Sequence, residues 1–251
     1  MSILNNTLYK NNITKSNAGK TEFGNSIYSN LWYLDTQNKL CITFTPRGGC
    51  SISFQLYLDL LGLLEDALKY NNFIHYYRCD LFIPNIPYIS IDTLIDNKYT
   101  FIKFIINPYI RAVSIYRAQT SHNLSFREYL KQLNNDEISY FNDNDKYHLH
   151  PQYIEGEEKI ITKYIKINEN EKYSIVLVEN NNNYILDVNK YTSIHHGNKY
   201  ICNEFCGDIS KDIINNKLPQ SYKWFYDDEI KSLVDKYYKN DIEKYNFLFN
   251  I

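Results

Sequence analysis

Residues 39–53 most constrain the fold, because an apolar strand sequence runs into a glycine-rich basic turn and then into an amphipathic helix. Gly48 and Gly49 permit backbone angles that other residues avoid, and they let the main chain approach a ligand closely. The N–H groups of Gly49, Cys50 and Ser51 would point toward an anion at the start of that helix. Arg47 adds fixed positive charge beside them. The stretch therefore predicts a phosphate or sulfate site, with a plain strand-to-helix turn as the alternative.

A second segment, residues 99–117, repeats the order of strand, turn and helix. Its apolar run at 101–106 is typical of a central strand buried on both faces. Asn107 and Pro108 are favoured as the N-cap and the first residue of the following helix. Arg111 and Ser114 are three residues apart and share one helix face, so they form a second possible phosphate grip. The alternative is a solvated arginine and an ordinary N-terminal serine.

Four segments in this order resemble the sulfotransferase superfamily, and most closely its carbohydrate branch. The loop Pro46-Arg-Gly-Gly-Cys-Ser51 is similar to the family's Pro-Lys-x-Gly-x-Thr loop. Residues 107–116 are similar to its Asp/Asn-Pro-x-x-Arg-x-x-Ser-x-Tyr element. His148-Leu-His-Pro-Gln152 resembles the His-x-x-Pro-Gln box, and residues 224–245 resemble a closing helix with a Tyr-x-x-Asp tail. Four ordered matches are harder to obtain by chance than one.

The resemblance implies an α/β fold, a P-loop-like three-layer sandwich with a central, mainly parallel sheet flanked by helices. It implies a sulfotransferase that moves the sulfuryl group of 3′-phosphoadenosine 5′-phosphosulfate to a hydroxyl acceptor, a carbohydrate, without a metal. The loop would hold the 5′-phosphosulfate, and Arg111 with Ser114 would hold the 3′-phosphate. The expected donor-binding residues are Pro46, Arg47, Gly48, Gly49, Cys50, Ser51, Arg111 and Ser114.

The chain also departs from the family pattern. Ile106 stands where family members carry arginine before the Asp/Asn-Pro pair. Arg47 replaces a lysine, so a planar guanidinium stands in place of a compact ammonium group. Lys103 and Arg117 are possible substitutes for the missing cation. A sulfotransferase-like nucleotide- or glycan-binding protein without catalysis is therefore the alternative function. A P-loop kinase is disfavoured because the Gly-Lys-Ser/Thr ending is absent.

Catalysis would need a cation at the bridging oxygen and a general base at the acceptor hydroxyl. Arg47 is the predicted cation. Among the 6 histidines, His148 is the first candidate base because it matches the family box, and His75 is the second because related enzymes place a histidine between the phosphate segments. Glu65 and Asp80 are carboxylate alternatives. His195, His196, Cys202 and Cys206 lack a regular zinc spacing, so no metal site is predicted.

Length and composition favour one α/β domain at residues 38–251, after a polar lead-in at 1–37 with a short helix near 26–34. The expected elements include a helix at 51–70 and a short strand at 73–79. The net charge of −2 excludes a broad basic surface, so nucleic acid is not expected as a partner. The polar N-terminus predicts neither a secretory signal nor a transmembrane anchor. The odd number of cysteines, 5, favours a reducing compartment, so a soluble, cytoplasmic protein is expected.

Overall fold

A computed structural model describes residues 3–23, 31–71, 73–137, 139, 141–167, 174–179, 182–187, 191, 204–215 and 221–249. The chain divides into two compact units. The first unit contains Met1–Thr45, Gly49–Ile105 and Ile154–Ile194, and the second contains Pro46–Gly48, Ile106–Tyr153 and His195–Ile251.

The first unit is built on an open five-stranded sheet. Its strands lie in the order β1 (Ala18–Glu22), β2 (Leu31–Asp35), β3 (Leu40–Phe44), β4 (Thr100–Ile106) and β5 (Lys163–Ile167). The β1–β2 and β2–β3 pairs are antiparallel, whereas β3 and β4 are parallel with Ile42 opposite Ile102. The predicted strand–helix–strand unit is therefore confirmed, and the sheet as a whole is mixed.

The first two strands come from residues that the sequence analysis assigned to a polar lead-in. Residues 31–34, at the end of the short helix expected there, lie in β2. The lead-in also forms α1 (Ile3–Lys15). Thus Ala18–Glu22 and Leu31–Asp35 are part of the sheet and do not precede the fold.

Apart from α1, the described helices of the first unit follow β3 and flank β4. They are α2 (Cys50–Leu60), α3 (Leu64–Tyr70), α4 (Ile74–Tyr76), a π-helix (Tyr77–Phe82), α5 (Ile83–Asn85), α6 (Ile91–Asp96) and a 3-10 turn (Glu157–Lys159). The single helix expected at 51–70 is broken because Gly62 has φ +70°. The strand expected at 73–79 is helical instead. A separate antiparallel pair is formed by β6 (Ser174–Glu179) and β7 (Asn182–Asp187).

Both faces of the five-stranded sheet are covered by apolar side chains. Alternate strand residues such as Ile42 and Ile102 point into one core, which contains residues of α2. Their neighbours Cys41 and Phe101 point into a second core on the opposite face, which contains Leu94 of α6. Helices therefore lie on both sides of the sheet, an arrangement compatible with a three-layer sandwich.

The second unit is helical. It contains α7 (Pro108–Ala118), α8 (Phe126–Asn134), α9 (Asp143–Leu149), α10 (Lys211–Asn215), a 3-10 turn (Tyr222–Phe225), α11 (Asp228–Tyr237) and α12 (Lys239–Phe249). The predicted N-cap is confirmed, since the Asn107 side chain accepts a hydrogen bond from Tyr109 N with Pro108 next to it. Ser125 forms a capping box with Glu128 at the start of α8. An apolar core from α7, α8, α9 and α11 holds these helices together. Within the described residues, no helix combines the length and the apolar character needed to cross a bilayer.

Candidate anion-binding site

The loop after β3 has the backbone geometry that its glycines predict. Gly49 has φ +85° and is the N-cap of α2, whose first turn has no side-chain cap. Position 49 excludes larger residues for two reasons. The positive φ is strained for any residue with a side chain, and a Cβ atom would lie 2.3 Å from Ile167 Cδ1. Arg47 has φ 60°, which is unusual for a residue with a side chain and indicates local strain. The chain passes from the second unit to the first between Gly48 and Gly49.

In the first unit, the start of α2 contacts one of the predicted histidines. Ser51 Oγ lies 3.0 Å from His75 Nε2, and Cys50 Sγ lies 3.8 Å from the same nitrogen. His75 reaches this position because residues 73–79 form a helix that packs on α2. The structure thus brings together Ser51, Cys50 and His75, which the sequence analysis had named for separate roles.

Arg78 is a further cation near this cluster, and the sequence analysis missed it. It lies on the π-helix, three residues after His75, and its guanidinium carbon is 5.9 Å from the Phe54 ring centroid. It interacts electrostatically with Cys50. Its Nε atom is buried and has no hydrogen-bond partner, and no carboxylate among the described residues lies within ion-pair distance. A π-helical segment is often found at functional sites, but a π-helix has no simple sequence signature.

In the second unit, the loop residues are held on α7. Arg47 Nη2 donates a hydrogen bond to Ser114 O at 3.0 Å, and Arg111 Nε donates to Pro46 O at 3.2 Å. Arg47 and Ser114 are both half-buried, and the Arg47 guanidinium lies against α7 at Ser114. The structure brings the predicted loop cation and the predicted serine of the second phosphate grip into contact.

Arg111 does not have the accessible guanidinium that a phosphate ligand needs. The residue is 0% exposed, and its Nη2 donates hydrogen bonds to the carbonyl oxygens of His148 and His150. Its Nη1 lies 3.7 Å from Asp241 Oδ2, and its guanidinium lies over the Tyr238 ring. The expectation that Arg111 binds the 3′-phosphate is therefore corrected. In this structure Arg111 donates hydrogen bonds to two backbone segments, at Pro46 and at residues 148–150, and it pairs with the Asp241 side chain.

Gln152 and Asp241 complete this buried network. The Gln152 side chain accepts a hydrogen bond from Ile106 N at 3.1 Å and donates one to Ile106 O at 2.9 Å. Asp241 accepts hydrogen bonds from the backbone N–H groups of Gln152 and Tyr153. Tyr238 and Asp241 are the tyrosine and aspartate of the Tyr-x-x-Asp tail. All four ordered sequence segments therefore meet around Arg111, since Pro46 belongs to the glycine-rich loop.

His148 has the tautomer that a general base needs. Its Nδ1 donates a hydrogen bond to Asn144 O at 2.7 Å, which leaves the Nε2 lone pair of the neutral ring without a partner among the described residues. Burial lowers the pKa of His148, the bond to the Asn144 carbonyl raises it, and the charges of Arg47 and Arg111 lower it, so the net pKa lies below its usual value. The ring is therefore neutral at pH 7.

The other residues named from the sequence fall elsewhere. Lys103 is buried and paired with the buried carboxylate of Glu157, so it does not replace the missing arginine. Arg117 is partly exposed near the end of α7, three residues after Ser114. Glu65 is an exposed partner of Lys69, and Asp80 is exposed on the π-helix. His195, His196 and Cys202 lie outside the described residues, while Cys206 is buried and its Sγ donates to Glu204 O.

Comparison with known proteins adds no assignment. No family model matches the chain, and neither a curated protein nor a solved structure matches it significantly.

Proposed function

We propose that the protein transfers the sulfuryl group of 3′-phosphoadenosine 5′-phosphosulfate to a hydroxyl of a carbohydrate. The observation that carries the proposal is the buried network around Arg111. It joins the loop that contains Pro46, residues 107–116, the His-x-x-Pro-Gln box and the Tyr-x-x-Asp tail, which are the four segments that resemble the family in order along the chain. A resemblance spread over separate segments gains support when these segments make specific side-chain contacts with one another.

Each unit, taken by itself, contains groups suited to bind an anion. In the first unit, the uncapped first turn of α2 offers backbone N–H groups beside Ser51 and His75. In the second, Arg47 and Ser114 are in contact, and the partly exposed Arg117 lies on the same helix face as Ser114. Arg47 remains the proposed cation at the bridging oxygen, and Arg117 takes over the role earlier expected of Arg111.

The transfer step requires an in-line attack. The acceptor oxygen forms a bond to sulfur while the bond between sulfur and the bridging phosphate oxygen breaks, and 3′-phosphoadenosine 5′-phosphate leaves with the electron pair. The hydroxyl proton passes to a neutral histidine, either to Nε2 of His148 as the first candidate or to the His75 ring as the second. Positive charge and N–H groups around the departing oxygen stabilise the negative charge that develops there.

A non-catalytic protein that binds a nucleotide or a glycan is the second candidate. It is favoured by Ile106 and Arg111 together, because Ile106 has no charge and the Arg111 guanidinium is not exposed. Such a protein would bind a nucleotide or a glycan and would transfer no sulfate.

Calorimetry with 3′-phosphoadenosine 5′-phosphate, ATP and AMP tests the proposal. We expect the 3′,5′-bisphosphate to bind more tightly than either of the other nucleotides, because only it presents phosphates at both positions. Equal binding of all three, or no binding, would rule out the sulfotransferase. Binding without transfer from the sulfated donor to any glycan would instead favour the second candidate.

A further inference from the structure

Arg78 of the first unit has a positive charge that no described carboxylate compensates. Only a minor part of the residue is exposed, and its Nε atom is buried without a hydrogen-bond partner among the described residues. Within the same part of the chain, no carboxylate lies at ion-pair distance from the guanidinium. Its electrostatic neighbours are the thiols of Cys50 and Cys79 and the phenol of Tyr33. A largely buried guanidinium therefore lies among groups that are not carboxylates.

The Arg78 guanidinium lies along the first turn of α2. Its carbon is 5.9 Å from the Phe54 ring centroid, and it interacts with Cys50, the first residue of that helix. Cys50 and Phe54 are four residues apart, so they share one helix face. Side chains of a helix lean toward its N-terminus, and the Phe54 ring therefore covers the turn that begins at Cys50. Arg78 is thus placed at the N-terminal end of α2.

This placement is unfavourable for the protein without a ligand. The N-terminus of a helix carries a partial positive charge, so it repels a neighbouring cation. The first turn of α2 contains no acidic residue and has no side-chain cap that would offset this charge. Burial of a cation without a counter-ion adds a desolvation cost. A bound anion would relieve both costs, because it would pair with the guanidinium and accept hydrogen bonds from N–H groups of the first turn.

We propose that Arg78 is an anion-binding residue that acts with the first turn of α2 and holds a tetrahedral phosphate or sulfate group. The planar fork of an arginine matches two oxygens of such a group. The remaining oxygens are available to the helix N–H groups. His75 precedes Arg78 by three residues and already contacts Ser51 Oγ in the first turn of α2, so both residues face the start of that helix.

Two sources can supply this group, namely the 5′-phosphosulfate end of the nucleotide donor and a free inorganic anion. In the first case the inference rests on the proposed function, and it adds a binding residue that lies outside the four segments that resemble the family. In the second case the anion site exists without sulfate transfer. The experiment therefore measures nucleotide binding and inorganic sulfate binding separately.

Calorimetry on the full chain compares 3′-phosphoadenosine 5′-phosphate with adenosine 3′-phosphate, which lacks the 5′ group. Arg78→Met keeps an apolar stem over Phe54 and removes the charge. We expect this variant to bind the bisphosphate about 10–100-fold more weakly than the parent. Its affinity for adenosine 3′-phosphate should equal that of the parent. Lys69→Met removes an exposed charge of the same unit and should leave both affinities unchanged.

Urea denaturation in dilute sodium sulfate tests the free anion, with sodium chloride of equal ionic strength as the reference. Sulfate should raise the unfolding midpoint of the parent more than that of Arg78→Met, and general salt effects cancel in this comparison. In chloride alone, we expect Arg78→Met to be at least as stable as the parent, because the substitution removes a cation from the positive end of α2.

A loss of bisphosphate affinity in Arg78→Met supports the inference with the donor as the source, and a loss of the sulfate effect alone supports it with a free anion. Sulfate stabilisation of the parent without nucleotide binding would refute the sulfotransferase and leave the anion site standing.

The inference is overturned if Arg78→Met responds to both anions like the parent, and a lower stability in chloride would then identify Arg78 as a structural residue. Equal losses for the two nucleotides with an unchanged sulfate effect would also overturn it, because they indicate a general distortion of the nucleotide site. Circular dichroism checks that each variant is folded. Arg78→Gln provides the same comparison if Arg78→Met does not fold.

Discussion

The Arg111 guanidinium lies 3.7 Å from the Asp241 carboxylate, and both side chains are fully buried. The same carboxylate accepts backbone hydrogen bonds from Gln152 and Tyr153 at 2.9 and 2.8 Å. One buried charge pair therefore connects the helix after β4, the segment after α9 and the last helix of the chain. Removing either charge leaves the other buried without its counter-ion, which is far more costly than leaving an exposed charge unpaired.

We therefore predict that Asp241→Asn and Arg111→Ala each lower the free energy of unfolding by about 3–5 kcal/mol. Urea denaturation followed by circular dichroism measures the loss. Glu243→Gln is the matched control on α12, because Glu243 is exposed and lies 3.7 Å from the exposed Lys239. That control should change stability by less than about 1 kcal/mol. If Arg111→Ala unfolded like the parent yet no longer bound the nucleotide, Arg111 would be a ligand after all.

The Arg111–Asp241 pair also shows which features of the site cannot be predicted from the sequence. The helix that carries Arg111 was predicted correctly from a local signal, the Asn-Pro cap after an apolar strand. Whether a helical arginine faces solvent or a distant aspartate is decided by tertiary packing, and no local pattern reports it. The contact of Ser51 with His75 likewise depends on how two separate helices pack.

The same distinction between local sequence and packing explains which elements of the fold were predicted and which were missed. The parallel pair β3 and β4 was predicted because both strands are continuous apolar runs, as buried strands are. β1 has the sequence Ala-Gly-Lys-Thr-Glu, which lacks β-branched and aromatic residues except for Thr21, so only its pairing with β2 reveals it. Residues 73–79 are rich in aromatic residues and favour a strand locally, yet packing against α2 makes them helical.

We predict that Gly49 cannot be replaced, and a comparison with Gly62 isolates the reason. Gly49 and Gly62 have similar positive φ values, 85° and 70°, but a Cβ atom would contact Ile167 only at Gly49. We expect Gly62→Ala to cost about 1–2 kcal/mol of stability from backbone strain and to leave nucleotide affinity unchanged. Gly49→Ala should cost more, and it should weaken nucleotide binding because the start of α2 must shift.

The double variant Gly49→Ala/Ile167→Val tests the steric part of this prediction. Valine lacks the Cδ1 atom that lies 2.3 Å from the added Cβ, so part of the lost stability should return. The rescue is measured as a double-mutant cycle with Ile167→Val alone, since that change removes a buried methyl and has its own cost of about 0.5–1.5 kcal/mol. Strictly additive effects would show that the contact with Ile167 does not matter.

For the base, we predict that His148→Ala lowers the rate of sulfate transfer by about 10²–10⁴-fold while nucleotide affinity is retained. His75→Ala should affect binding as well, because His75 contacts Ser51 at the start of α2. The assay is transfer from labelled donor to a glycan, with calorimetry on the same variants. If both variants transferred sulfate at the parent rate, neither histidine would be the general base, and a carboxylate would become the leading candidate.

The pH dependence of transfer gives an independent test of His148. A base must be unprotonated, and burial together with nearby arginines holds the pKa of His148 below its usual range. We therefore expect the rate to be constant near pH 7 and to fall only at more acidic pH than an ordinary histidine would require. A fall in rate that begins above pH 7 would contradict this assignment.

His122 should make the stability of the protein depend on pH. Its Nδ1 accepts a hydrogen bond from Leu124 N at 3.3 Å, and its Nε2 contacts Gln119 Oε1 at 3.2 Å, so the neutral ring is the form that fits. The ring also stacks on Tyr129. Burial and the charge of Lys211 lower the pKa of His122, Asp145 opposes the shift, and the resulting pKa is about 4.

Because the folded pKa is lowered, the unfolded chain binds more protons than the folded protein between about pH 6.5 and pH 4. The stability that depends on the neutral ring is complete above that window and is lost as the pH falls through it. Since the ring is only half-buried, we expect a loss of about 1–2 kcal/mol from pH 7 to pH 5 beyond that of His122→Phe. His122→Phe keeps the stacking surface and cannot take up a proton. Urea denaturation of both proteins at the two pH values measures the difference, and equal losses would show that His122 does not titrate in this range.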